Sequence, residues 1–176
     1  MKKVTAIFIL IALGTGVYAQ GEAINKFFSK YATDESFTTA TISSKMFSLI
    51  TNMEVESPDD KELIAAISKL KGLKVLGKEN TSDARSLYKE AFALVSGKDY
   101  EELMSVRDKD KDMKFFIRES GGKINELLMV MGGTDDFMLL SLFGEIDLKQ
   151  ISRIGRKMNV SGLEKLENIT DHQKKN

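Results

Sequence analysis

Between Ile124 and Met158 the chain carries two apolar runs, parted by Gly132-Gly133-Thr134-Asp135-Asp136 and followed at once by an amphipathic segment. In the first run Leu127, Met129 and Met131 fall on one side of an extended strand and Leu128 and Val130 on the other, because side chains alternate faces. The second run repeats the pattern, with Phe137, Leu139 and Phe143 against Met138, Leu140 and Leu142. Strands that are apolar on both sides are expected to be covered on both sides, and the glycine and aspartate residues between them predict a hairpin. The helix start that follows is well specified. Asp147 is placed to accept from the free amides of the first turn, Gln150 completes a capping box, and Ile146 with Ile151 makes a hydrophobic staple. Leu148, Ile151, Ile154 and Met158 then continue at helical spacing.

Upstream, Ile24, Phe27, Phe28 and Tyr31 share one face of a helix over Glu22 to Ala32. Phe37 to Ile42 alternates and is rich in threonine, which suits a strand. Ser43 is placed to cap the next helix, with Ile42 and Phe47 as its staple. Pro58 opens a further helix along which Leu63, Ile64, Ile67 and Leu70 keep helical spacing, and Gly72 is expected to stop it. Leu73 to Lys78 reads as a short strand. Thr81 or Ser82 then caps an amphipathic helix with the stripe Ala84, Leu87, Tyr88, Ala91, Phe92 and Val95, closed by Gly97. Tyr100 to Arg107 and Met113 to Glu119 alternate apolar with polar, predicting two strands with one wet face, with Met104, Val106, Phe115 and Ile117 turned inward. Ser120-Gly121-Gly122-Lys123 is a turn into the first apolar run.

Helices mixed with strands, then four strands in succession and a last helix, predict an α+β fold: a largely antiparallel sheet with helices packed on it, in a single domain. The boundaries expected are a signal peptide over 1–19, the domain over 20–167 and a frayed C-terminal tail over 168–176. Ile42-Ser43-Ser44-Lys45-Met46-Phe47-Ser48-Leu49-Ile50 can also be laid over Ile146-Asp147-Leu148-Lys149-Gln150-Ile151-Ser152-Arg153-Ile154, with lysine, serine and isoleucine at matching steps. Duplication and the shared grammar of helix starts both account for it.

Composition changes this picture mainly at the N-terminus. Lys2 and Lys3, the apolar run Val4 to Leu13 and the close of Val17-Tyr18-Ala19 form the pattern of an export signal, with cleavage expected after Ala19; the run is too short for a permanent membrane span. The 176 residues, 42% hydrophobic and 30% charged, suit one soluble domain. Loss of Lys2 and Lys3 from 26 basic against 26 acidic side chains leaves a net charge of −2, which argues against a nucleic-acid partner. With no cysteine there is no disulfide, no thiolate metal site, no cysteine nucleophile and no lipid-modified cysteine. An exported, cysteine-free chain that is not lipid-anchored fits a periplasm or the cell exterior.

Candidate chemistry is sparse. Asp108, Asp110, Asp112 and Glu119 stand at positions one, three, five and twelve, the carboxylate spacing of a calcium loop. Met113 occupies the position that needs glycine, and Lys109, Lys111 and Lys114 dilute the charge, so a solvated hairpin tip is the expected structure. Asp135 and Asp136 after Gly132-Gly133 suit a cation or a sugar hydroxyl, but plain turn chemistry is the expected reading, since aspartate and glycine tolerate the backbone angles a turn requires. His172, the single histidine, lies in the expected tail, where no general base is held in position. A transition-metal site would rest on carboxylates alone, and a histidine-based serine triad has no base. Catalytic, cofactor-binding and metal residues are therefore expected to be none.

The segments Phe28-Ser29-Lys30-Tyr31, Ile42-Ser43-Ser44-Lys45-Met46-Phe47, Leu70-Lys71-Gly72-Leu73-Lys74-Val75-Leu76, Glu126 to Gly133 and Ser141-Leu142-Phe143-Gly144-Glu145-Ile146-Asp147-Leu148-Lys149-Gln150-Ile151-Ser152 together resemble the exported Bacteroidota proteins of domain of unknown function 4252. The resemblance spans the chain after the leader, and the last segment is its most specific part. It implies a cell-envelope protein without an assigned activity and supplies no catalytic residues. Many members of that family have a lipoprotein leader, whereas the leader here has no cysteine.

The function expected is that of a non-catalytic cell-envelope protein, a protein-interaction or self-associating module. Helices are expected to cover both faces of the 124–143 hairpin. Were part of one face open instead, it would mark a partner, self-association or lipid site, with Met129, Met131 and Met138 as an adaptable surface. The alternatives are a periplasmic small-ligand or lipid-binding protein, with a pocket between sheet and helices, and, least favoured, a carboxylate-dependent hydrolase.

Overall fold

A computed structural model describes residues 21–52, 54–95, 99–157 and 166. The expected signal segment 1–19, Gly97, Met158 and the tail 168–176 with His172 lie outside the described residues.

The apolar runs form the two central strands of the sheet, and the rest of the chain is built outward from them. The elements in order are α1 (Gly21–Tyr31), β1 (Thr38–Ser43), α2 (Ser44–Thr51), α3 (Pro58–Ile67), β2 (Leu70–Lys78), α4 (Ala84–Val95), β3 (Glu101–Arg107), β4 (Asp112–Ser120), β5 (Lys123–Gly132), β6 (Phe137–Ile146) and α5 (Leu148–Lys157). The strands make one six-stranded sheet in the order β1-β2-β6-β5-β4-β3, antiparallel throughout. This is a single α+β domain with helices packed on the sheet, as the alternation of element types predicts.

Both faces of the central hairpin are covered. On one, Leu128, Val130, Phe137 and Leu139 are buried with Ile24 and Phe27 of α1 and Leu87, Ala91 and Val95 of α4. On the other, Leu127, Met129, Met131, Leu140 and Leu142 are buried with Phe47 of α2, Ile151 of α5 and Leu166. Met129 and Met131 are only 0% and 7% exposed, so the idea of an open methionine surface on the hairpin is corrected. The space between sheet and helices holds these same buried side chains. Among the described residues no helix is long and apolar enough to cross a membrane.

Caps and turns follow local chemistry. Ser43 Oγ accepts from Met46 N at 3.4 Å and Asp147 Oδ1 from Gln150 N at 3.1 Å, each meeting an otherwise orphan amide. The Gln150 side chain does not supply the expected reciprocal cap; its Oε1 accepts from Arg153 at 3.4 Å. Gly121 and Gly122 have φ of +61° and +72°, the left-handed pair that closes a two-residue hairpin.

Two boundaries and one face differ from the sequence reading. The helix opened by Pro58 ends at Ile67, and Leu70 begins β2 instead of closing the helical stripe. Leu70 pairs with Gly144 and lies in the second core, and Gly72 is a strand residue packed beside Phe143. Thr81 sits before the α4 cap, its Oγ1 accepting from Asp83 N, while the Asp83 carbonyl accepts from Leu87 N. Finally, β4 has no wet face at its centre. Phe116 is buried under α4 against Phe92, while Phe115 and Ile117 enter the opposite core.

Candidate functional site

The aspartates singled out by spacing lie near one end of the sheet, but their carboxylates do not form one site. Asp108 N donates to Lys111 O at 2.8 Å, closing the β3–β4 turn. Asp112 begins β4 and Glu119 lies near its other end, roughly 23 Å away at a rise of about 3.3 Å per residue. The calcium-loop arrangement is thereby excluded. Asp112 is instead clasped by Arg107 Nε at 2.9 Å and Arg85 Nη1 at 2.5 Å. These two guanidiniums, Arg107 first, hold its carboxyl below the usual aspartate range.

Asp136 in the β5–β6 turn receives Lys111 Nζ on Oδ2 at 2.6 Å, which raises the lysine pKa. Its Oδ1 is buried against Gly133 with no hydrogen-bond partner. Asp135 contributes its carbonyl, which accepts from Thr81 N at 2.9 Å. The cluster ties the two hairpin ends to the start of α4. Among the described residues no group of three or more acidic or histidine side chains is arranged to hold a metal ion.

One charged residue passed unremarked in the sequence pattern. Glu126 in β5 is 1% exposed, on the α1–α4 face of the sheet. Its Oε1 accepts from Ser141 Oγ of β6 at 2.6 Å, and its Oε2 from Tyr100 Oη at 3.0 Å and Arg118 Nη2 at 2.9 Å. Arg118 is its direct cross-strand neighbour on β4. Burial, then the Glu126 charge, pushes the Tyr100 phenol well above its usual range. A carboxylate with donors on both oxygens serves as a buried hub. The signal was present, since a lone acid inside Ile124 to Met131 must be buried if both faces are covered.

A cleft of about 400 Å³ opens outside the sheet, lined by Lys69, Glu119, Lys123, Ile124, Asp147 and Lys149 among others. Glu145 spans it, bonded by Lys69 at 3.2 Å and Lys123 at 2.6 Å. A smaller hollow of about 180 Å³ shares Lys69, Glu145 and Asp147 and reaches to Glu62 and Ala65.

The two edges of the sheet differ. The β3 edge carries Glu101, Glu102 and Arg107 and is broken by a bulge between Glu102 and Met104, both devices that discourage pairing. The β1 edge, Thr-Thr-Ala-Thr-Ile-Ser, has no charge, no proline and an uninterrupted register with β2. All of its residues are exposed except Ile42, which is half-buried. From β1 the chain enters α2 without a linker, and α2 packs back on β1 and β2. There Met46 and Leu49 are 50% and 53% exposed, while Phe47 is buried.

The family described as Domain of unknown function (DUF4252) matches residues 31–154. The chain belongs to it. No curated protein and no solved structure matches. The DUF4252 match runs from the last residue of α1 into α5, and so takes in the β1 edge, α2, the Glu126 hub and both clefts.

Proposed function

We propose that this DUF4252 chain is a non-catalytic cell-envelope module that works by contact with another polypeptide, through α2 and the adjoining edge of β1. The carrying observation is the exposure of Met46 and Leu49. They are two of the three large apolar side chains left exposed among the described residues, and they adjoin an edge strand with unpaired backbone groups. Exposed apolar side chains beside free strand groups are what a binding surface needs.

The placement of the acids supports contact over chemistry. Glu126 and Asp112 are committed to arginine, and Glu145 to two lysines. The export pattern of Lys2, Lys3, Val4 to Leu13 and Ala19 supports a place in the envelope or beyond it, with the leader removed. The test is binding of a hydrophobic dye. The chain is expected to bind it and the double variant Met46→Glu, Leu49→Glu to lose most of that binding while melting at the same temperature. Equal binding by both would remove α2 from the proposal.

A second reading, a small-ligand binder, is favoured by the 400 Å³ cleft alone. Its lysines and carboxylates suit a polar ligand bearing both charges, not a lipid. Native mass spectrometry of the isolated chain and of Lys123→Ala would test it, a ligand-free spectrum for both counting against it.

A further inference from the structure

We propose that the partner at the β1 edge is a second copy of this chain, joined by antiparallel β1–β1′ pairing about a two-fold axis into one twelve-stranded sheet. The inference rests on the contact reading above and specifies its occupant. Two adjacent antiparallel strands are related by a two-fold perpendicular to the sheet, which keeps faces and so centres the pairing on one residue: about Ala40 it sets Thr39 against Thr41 and Thr38 against Ile42, about Thr41 it sets Thr39 against Ser43 and Ala40 against Ile42. A charge at the centre of such an edge would face its own image, and like charges across a strand pair destabilise it. The β1 edge carries none. Its threonine and serine positions instead give matching polar pairs across the seam, Thr39 with Thr41 in one register, Thr39 with Ser43 and Thr41 with its own image in the other. The β3 edge, with Glu101, Glu102 and a bulge, is unsuited to the same operation.

Six residues of strand make a short seam, and a lone two-stranded pairing is marginal in water. The two-fold preserves the faces of the sheet, however, so both α2 helices come to lie on the same face of the joined sheet. Each carries Met46 and Leu49 half-exposed. Contact between the two helices would bury these side chains and add the apolar area that the strand seam lacks.

The absence of cysteine permits a clean test on the full chain. Adjacent antiparallel residues stand about 4.5–5.5 Å apart at Cα, within disulfide reach. Ala40→Cys and Thr41→Cys, as two separate variants, bracket the alternative registers. At least one is expected to give a covalent dimer on mild oxidation, while Ser105→Cys on the β3 edge stays monomeric. Light scattering is expected to show a concentration-dependent dimer for the unmodified chain, and Thr39→Lys with Thr41→Lys to weaken it at least tenfold with an unchanged circular dichroism spectrum. A monomer at every concentration, a dimer indifferent to the lysines, or cross-linking at Ser105→Cys as efficient as at β1 overturns the proposal. Should the chain be monomeric yet bind the dye through Met46 and Leu49, the self-pairing falls and the wider contact reading stands. Should it also fail to bind the dye, both fall.

Discussion

Ser141 Oγ donates to Glu126 Oε1 over 2.6 Å, and both residues are buried between the two central strands and the helices above them. The bond locks β6 to β5 by side chains as well as backbone. It leaves Glu126 Oε2 free to receive Tyr100 and Arg118. A buried carboxylate of this kind is tolerable only while its donors are in place.

Removing a donor should therefore cost more than the bond itself. Ser141→Ala is expected to lower unfolding free energy by about 1–3 kcal/mol. Arg118→Ala should cost more, roughly 2–4 kcal/mol once its 33% exposure is allowed for. Urea unfolding at neutral pH measures both, and equal small losses would show that Glu126 is solvated in a way the packing does not suggest.

Tyr100 predicts an alkaline limb. Its phenol is raised above the unfolded value of about 10. A raised acid contributes stability fully below the unfolded pKa and loses it as pH climbs toward the folded one. The stability difference between the native sequence and Tyr100→Phe should thus be constant from pH 7 to about 9.5 and shrink beyond pH 10. Thermal melts across that range decide it, and a difference that holds to pH 11 would contradict the burial of the hydroxyl group.

Asp112 predicts the acid side with the opposite sign. Arg107 and Arg85 depress its pKa, so its contribution is present above the unfolded value of about 3.9 and disappears as pH falls below it. Asp112→Asn should destabilise the chain at pH 7 and flatten the loss of stability between pH 4 and 2. Parallel acid titrations by circular dichroism would show it.

Close approach of backbone to helix makes Gly132 a demanding strand glycine. A Cβ there would stand 2.5 Å from Tyr88 Cβ, whereas at Gly77 the nearest atom is Phe137 O at 3.8 Å. Gly132→Ala should cost about 1–3 kcal/mol through overpacking, and Gly77→Ala under about 1. Denaturant midpoints of the two variants provide the comparison.

The fold was legible wherever a pattern depends on near neighbours in the chain. Alternation in Leu127 to Met131 and Phe137 to Leu142 identified the hairpin, and Ser43 and Asp147 marked two helix starts because caps are local. Leu70 reads as helical because its spacing from Ile67 is indistinguishable from a strand start until Gly144 is known to pair with it. Phe116 falls on the wet side of the sequence pattern because the α4 stripe that covers it lies elsewhere in the chain. For the candidate surface, the strand Thr38–Ser43 and the helix after it were readable, but its position at the sheet edge was not. That depends on β2 pairing with β6, between residues such as Leu76 and Leu139, and no local signal reports which strand lands beside which.

The same long-range pairing governs the order in which the molecule can be assembled. A ribosome makes β1 and β2 early, yet the strand that must flank β2 on its inner side, β6, is the last strand synthesised. Until it emerges, the β1–β2 ribbon has two open margins instead of one. The nascent N-terminal half is thus obliged to wait for the C-terminal half, a schedule that slows folding and makes that ribbon the stretch for a chaperone to hold.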